Sequence, residues 1–318
     1  MSPAPVRSLP LAVLGSVIVL LCALLLVPFS LAQSSASGMA LRDTLHFPFF
    51  IVLLALIYAA LLRIRSNPRK RALLQAIVLT SAIGGASEWA QTLTSRTASG
   101  QDLLMNLLGV ACGSATIAGG WLRGSRRSFL WLIPVVAIWV GSTFLVTRPA
   151  IRALKAERHQ AGAFPRLGDF EDEWETVVWT PQGDDGAGPT RATFSNAHPT
   201  HGRQSLKIDI HGSNWAGVRL LIGKRLPWPE SRSLRFDVYN PGDEFELGIR
   251  VDGFEGGRFT GKVAIAPGLN QCRIPPDELA DRGRELTRPA SFAARIIVFH
   301  LGESPSTRSF YLDNVKVE

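Results

Sequence analysis

The sequence predicts two unlike parts: an all-α transmembrane helical bundle of about five helices, followed by an all-β antiparallel sandwich. Three observations predict this. Nearly all the long apolar runs of the 318-residue chain end by residue 146. From about Asp169 short segments of alternating polarity take over, separated by turns rich in Gly, Pro, Asn and Asp. The basic residues of the first part gather in short loops between apolar runs, the pattern that orients membrane helices.

The apolar runs are Leu9–Ala32, His46–Leu62, Ala72–Leu93, Asp102–Leu122 and Phe129–Val146, which place helices over about 9–32, 46–62, 72–93, 102–122 and 129–146. Each is long enough to cross a hydrocarbon core of about 30 Å. The second and third runs are separated by Arg63, Arg65, Arg69, Lys70 and Arg71, the fourth and fifth by Arg123, Arg126 and Arg127. The other two loops carry only Arg42 with Asp43, and Arg96. The two basic loops therefore face the cytoplasm, and five crossings leave the C-terminal half outside. Arg148, Arg152, Lys155 and Arg158 follow the last run, but a long translocated domain escapes the charge rule. The first run has two readings, a retained helix or a signal peptide ending at Ser30-Leu31-Ala32, with the same topology in both. The expected location is the cell (inner) membrane, multi-pass, with an extracytoplasmic C-terminal domain.

The net charge of +8 comes from the membrane-flanking loops in good part, so the expected partner is the lipid bilayer and no nucleic acid. Cys22, Cys112 and Cys272 form neither a disulfide framework nor a metal spacing. No H-E-x-x-H, G-x-S-x-G or Gly-rich phosphate loop is present.

Polar residues sit at the outer ends of three apolar runs. Asp43 and His46 are three apart, as are Glu88 and Gln91, and Asp102 and Asn106 are four apart. On helices each pair shares one face, and Arg96 lies in the short outer loop between them. Ionisable groups at membrane depth mark a site by default. Two plainer readings stand beside it: Asp43 and Asp102 as helix caps, and Glu88 in a structural pair with Arg96 or His46. Read chemically, Glu88 and His46 are the catalytic candidates, a general base and its partner. Asp43, His46, Glu88 and Asp102 are candidate ligands for a divalent cation. Gly109-x-x-x-Gly113 continues the Asp102–Asn106 stripe and permits close helix contact.

Asp43-Thr-Leu-His46, Glu88-Trp-Ala-Gln91, Arg96 and Asp102-Leu-Leu-Met-Asn106-Leu-Leu-Gly109 with Gly113 resemble the VanZ-like family over roughly residues 40–125, with Thr44 where that family carries a Lys. The resemblance implies a helical membrane domain over residues 1–147 and a link to glycopeptide (teicoplanin) resistance. Residues 148–164 read as a basic linker, with a continuation of the fifth helix over 148–163 as the second reading.

Residues 165–318 read as the sandwich. Strands fit Arg191–Ser195, Ser205–His211, Ala216–Ile222, Leu234–Tyr239, Glu246–Asp252, Arg258–Ala266, Ala294–His300 and Phe310–Lys316, with turns at Asn240-Pro-Gly-Asp243 and Asp252-Gly253. Alternation turns Arg235, Asp237, Tyr239 and Arg250 outward, and Trp215 and Arg219 join them in one candidate glycan face. Any solvated sandwich face carries such a polar row. Trp174, Trp179 and Trp228 read as core. Asp169-Phe-Glu-Asp172, His201–Ile208, Leu234–Asn240 and Phe310–Lys316 resemble a jelly-roll carbohydrate-binding module of the galactose-binding-like superfamily. That resemblance implies a structural calcium, with Glu171 and Asp313 as ligands.

The leading functional reading is recognition of an envelope glycan, lipid-linked glycan or glycolipid at the outer surface of the bilayer. The alternatives are an intramembrane enzyme acting on a lipid-linked or polyprenyl substrate, and a structural membrane protein that docks a partner through its sandwich.

Overall fold

The structure is a computed structural model that describes residues 13, 15–20, 35–64, 68–92, 100–121, 128–182, 190–211, 215–224, 226, 232–253, 258–275, 294–301 and 307–318. The chain divides into two compact units: Met1–Ser30 with Leu41–Pro149, and Leu31–Ala40 with Ala150–Glu318.

The first unit is helical. After α1 (Ala36–Thr44) come α2 (His46–Ile64), α3 (Arg69–Thr92), α4 (Gly100–Trp121) and α5 (Ser128–Ala163). Within this unit α2 packs on both α3 and α4, and α3 on α4. Phe50, Leu53, Leu54 and Ile57 of α2 meet Ala76 of α3 and Val110 of α4. A second cluster joins Phe47, Met105, Cys112 and Val146, with Trp139 against it. Gly109 explains the close approach of α4 to α2. A Cβ there would come 2.5 Å from the Phe47 carbonyl oxygen, and one at Gly113 would come 2.8 Å from Leu54.

Three helices among the described residues are long and apolar enough to cross a membrane: Ala36–Arg63, Gly100–Trp121 and Leu130–Ala163. Leu130, Trp131, Leu132, Ile133, Val136 and Val140 are exposed around α5, the surface a lipid-facing helix presents. The helix α3 is not one of the three. Arg69, Lys70 and Arg71 open it, and Gly84, Gly85, Ser87 and Glu88 dilute its C-terminal half. Of the first apolar run, only residues 13 and 15–20 are described, and they are helical.

The helix α1 was not expected; α5 runs through residues 148–163, so of the two readings of that segment the continued helix is the one observed. The reason is a buried stripe, Ala153, Ala156, Glu157 and Gln160, at helical spacing. Its basic residues, Arg152, Lys155 and Arg158, lie on the exposed side.

The second unit is a two-sheet antiparallel sandwich. One sheet runs β3 (Arg191–Ser195), β4 (Ser205–Ile210), β11 (Arg308–Val317), β6 (Leu234–Asn240) and β9 (Gly268–Ile274), with β1 (Arg166–Gly168) also paired to β11. The other runs β2 (Trp179–Gln182), β5 (Gly217–Leu221), β10 (Ala294–Leu301), β7 (Phe245–Gly253) and β8 (Arg258–Ile265). Alternation builds the core. Ile208, Phe310, Leu312, Phe236 and Val238 from one sheet meet Val218, Leu220, Ile297, Phe299 and Ile249 from the other. Trp179 stacks on Phe299 at 6.0 Å and meets Phe170 edge-on at 5.3 Å, so it is core as expected. Trp174 packs against the same core, while Trp228 lies outside the described residues.

Three strands escaped the sequence reading: β1, β2 and β9. Pro181 interrupts β2, which is tolerated because β2 is an edge strand. In β9 the position opposite Val238 is Asn270, whose amide donates to the carbonyls of Ala266 and Gly268, so the apolar period is broken there. A one-turn helix, α6 (Glu175–Val178), precedes β2.

Residues of α1 and α5 that belong to this unit cover one end of the second sheet's outer face. Ala36, Ala153 and Leu221 form a buried cluster with Met39, Ala40, Val177 and Ile296 around it. Glu157 accepts hydrogen bonds from the Ser37 N–H at 2.7 Å and hydroxyl at 2.8 Å, and Gln160 donates to the Leu221 carbonyl at 3.0 Å.

Candidate functional site

In the helical unit the spacing of three and four residues brings polar side chains together. His46 opens α2, and its Nδ1 lies 3.0 Å from Oδ1 of Asn106 on α4. Asn106, Asp102 and Glu88 are buried. Asp102 lies within electrostatic reach of Asp43, His46, Glu88 and Arg42. Asp43 does not cap α2. It sits in the last turn of α1 and pairs with Arg42 at 2.9 Å. Arg42 is the cation of this cluster that sequence reasoning left in a loop, although it adjoins Asp43 directly. Asp102 lies in the first turn of α4. Gln91 is on α3 with its side chain outside the description, and Arg96 lies outside the described residues. Asp43, His46, Glu88 and Arg42 thus lie within electrostatic reach of Asp102, but among the described residues no three His, Cys, Asp or Glu side chains stand close enough to hold a metal ion, so the divalent-cation reading is not met.

The predicted glycan face does not exist as one surface. Arg235, Asp237 and Tyr239 belong to β6 in the first sheet, whereas Arg219 on β5 and Arg250 on β7 belong to the second, with Trp215 just before β5. Alternation distinguishes inward from outward but not one sheet from the other.

On the first sheet's outer face the row at Asp237 is covered, while Leu269, Gln271 and Arg273 on the edge strand β9 stay exposed. Asp237, expected to be exposed, is 1% exposed. Residues 196–204 fold over it: the Thr200 hydroxyl donates to Asp237 at 2.9 Å, and Asn314 Nδ2 donates at 3.0 Å. His198 lies flat on Tyr239, ring centroids 3.7 Å apart, and meets Tyr311 edge-on at 4.8 Å. Arg235 pairs with Glu318 at 3.2 Å.

Glu171 and Asp313, which the resemblance assigns to calcium, hold that same turn. Asp313 accepts the N–H groups of Thr200 at 2.7 Å and His201 at 2.9 Å. Glu171 accepts those of Arg203 at 2.5 Å and Gln204 at 2.7 Å, and these two bonds keep its pKa below the usual value. Burial raises the Asp313 pKa against its backbone donors. Among the described residues no three His, Cys, Asp or Glu side chains gather as a metal site. The two carboxylates therefore do not fit the calcium role: each is committed to backbone donors.

The second sheet's outer face is buried along β10 at Val298 and His300 and under α1 and α5 at Leu221, and exposed at Trp215 and along the edge strand β8. Trp215 is 44% exposed and has a left-handed backbone, φ 56°, a conformation that costs a bulky residue energy and clusters at functional sites. Its ring lies on that of His300, centroids 4.7 Å apart. His300 is buried on the central strand β10, with Gly217 on one side and Gly248 on the other. A Cβ at Gly248 would collide with the imidazole, so the glycine leaves the ring room to lie across the sheet. His300 Nδ1 lies 3.1 Å from the Leu301 carbonyl oxygen, while Nε2 is buried with no hydrogen-bond partner among the described residues. Burial, then the nearby Arg250 and Lys262 cations, lowers the His300 pKa. In the next outward row, fully buried Val298 is flanked in register by Arg219 and Arg250. Arg219 Nε donates to Thr180 Oγ1 at 3.1 Å, and Arg250 pairs with Asp252 at 3.2 Å. Sequence reading named Trp215, Arg219 and Arg250, which share this face, and did not name His300; the glycines opposite it were the available signal.

Arg219 is held by burial, and then by Arg250, below the ordinary guanidinium pKa. At the other end of the sandwich Glu175 is fully buried, accepts the N–H groups of Asp169 and Asp172, and is pushed by burial up to about 7.

No protein-family model matches this chain, and no curated protein matches it. Solved structures do. An exo-β-agarase is 13% identical at a TM-score of 0.37; the match covers 48% of this chain but 25% of the agarase. The family 11 carbohydrate-binding module of a cellulosomal cellulase of Clostridium thermocellum is 14% identical at a TM-score of 0.36, covering 48% of this chain and 92% of the module. The CBM22-1 xylan-binding domain of Paenibacillus barcinonensis Xyn10C is 13% identical at a TM-score of 0.33, covering 47% and 90%. Likeness at this level leaves the functional reading to the residues themselves.

Proposed function

We propose that this chain is a multi-pass membrane protein of the cell (inner) membrane whose sandwich, on the extracytoplasmic side, recognises an envelope glycan or glycolipid. One observation carries the reading. The exposed Trp215 ring rests on buried His300 over a glycine-lined gap in the sheet, beside a pair of arginines. A rigid aromatic face with planar hydrogen-bonding groups next to it is the surface a sugar ring stacks on. The sidedness rests on the basic loops. The VanZ-like type of the helical unit and a link to glycopeptide resistance rest on the ordered motif from Asp43 to Gly113. The test is a glycan array probed with the full chain in lipid nanodiscs, wild type beside Trp215→Ala. Sugars held by the wild type and lost by the variant support the reading, and an array blank for both contradicts it.

The cluster of His46, Glu88, Asp102 and Asn106 supports a second reading, an intramembrane enzyme acting on a lipid-linked or polyprenyl substrate. Glu88→Gln is then expected to accumulate and insert like wild type, with turnover and any envelope phenotype lost. Asp102→Asn does the same less severely. A Glu88→Gln variant that keeps full function, or that fails to accumulate, makes the cluster structural.

A further inference from the structure

Resting on the reading of the second sheet's outer face as the sugar site, we infer that the glycan it takes is acidic, with a carboxylate seated between Arg219 and Arg250. The argument is one of charge. Arg219 and Arg250 face each other across Val298 on neighbouring strands of β10. Among the described residues Arg250 has one ion-pair carboxylate, Asp252, which it shares with Arg258 at 2.6 Å. Arg219 has no carboxylate partner among the described residues. Its Nε goes to Thr180, and an Nη makes a weak contact with the Met39 sulfur at 3.9 Å. Among the described residues in register around this pair, the cations Arg219, Arg250, Arg258 and Lys262 stand against the carboxylates Asp252 and Glu246, and Lys262 already occupies Glu246 at 2.5 Å.

A half-buried cation beside a second cation, with no counter-charge, is costly, and an anion between them relieves both repulsion and desolvation. Two guanidinium forks suit a planar carboxylate, which accepts paired N–H bonds. The Trp215 ring rests on His300, and Arg219 and Arg250 flank Val298 one outward row further along the sheet, about 7 Å at strand rise. One sugar therefore stacks on Trp215 while the acidic group of another reaches the arginine pair. The ligand class is an oligosaccharide bearing uronic acids.

The test titrates the full chain in zwitterionic nanodiscs with tetragalacturonate and with its fully methyl-esterified form, which removes the charge and keeps the rings. The acid is expected to bind at least tenfold more tightly than the ester, with added sodium chloride weakening only the acid. Arg219→Ala is expected to bring the acid down to the ester's affinity, and Trp215→Ala to weaken both alike. Arg250→Gln repeats the first comparison should Arg219→Ala fail to fold. Equal binding of acid and ester by the wild type overturns the acidic preference and leaves the sugar reading standing. No binding of either, with a blank glycan array, overturns both.

Discussion

The two outer faces of the sandwich start from the same alternating pattern and end differently. On the first sheet, outward Asp237 and Tyr239 are roofed by residues 196–204, with His198 occupying the face of Tyr239 that a ligand ring would need. On the second, Trp215 stays exposed, His300 props it from below, and the arginine beside it lacks a counter-charge. A polar row facing outward is therefore not a site in itself. What distinguishes the faces is whether the chain satisfies its own groups. Asp313 and Glu171 are spent on backbone N–H donors, while Arg219 and the Trp215 ring are not spent on anything of equal strength.

The comparison can be broken first at the covered row of the first sheet. Asp313→Ala leaves the N–H groups of Thr200 and His201 without their acceptor. It is expected to cost about 3 kcal/mol in denaturant unfolding while leaving sugar affinity unchanged. Lost sugar binding in a folded Asp313→Ala variant would move the site to the first sheet. Next, Trp215→Ala is expected to weaken sugar binding by about 2 kcal/mol, roughly 30-fold, with Tyr239→Ala close to wild type in a parallel titration. Gly248→Ala sharpens the role of His300. Its new Cβ meets the imidazole, so it should cost about 1–2 kcal/mol and tilt Trp215, lowering affinity without touching an arginine.

Glu175 gives a subtler handle. Its carboxyl titrates near 4.5 when unfolded and at about 7 when folded. A raised carboxylate pKa stabilises the folded state fully below the unfolded value, and that contribution is lost as pH rises through 7. The melting temperature should therefore decline over that window, and Glu175→Gln should flatten the decline. An unchanged slope in the variant would assign the titration to another group. The smallest effect is expected from calcium. With Glu171 and Asp313 committed to the 200–204 turn, millimolar calcium should leave the melting temperature unchanged; a rise of several degrees would give both carboxylates to a metal.

Much of this was legible in the sequence. Strand spans such as 234–239, 258–266 and 294–300 follow directly from period-two alternation, because both inner faces are apolar. Polar pairs spaced by three and four located His46, Glu88, Asp102 and Asn106 on neighbouring helices, since that spacing fixes a helix face. What stayed hidden depended on partners far along the chain. Nothing near Asp237 announces that Thr200 will cover it. The tail of α5 read first as a linker because Arg152, Lys155 and Arg158 mask the small-residue stripe of Ala153 and Ala156. Asn270 turns inward to serve carbonyls rather than to fill the core, which erased β9 from the pattern.

Hydroxyl-radical footprinting of the full chain in nanodiscs, with and without a sugar that the array identifies, tests the central claim most directly. Trp215 is exposed on one face of the sandwich, and His198 is exposed on the other. The account predicts that the sugar lowers oxidation of Trp215 and leaves His198 unchanged. Protection of His198 with Trp215 still fully reactive would contradict it.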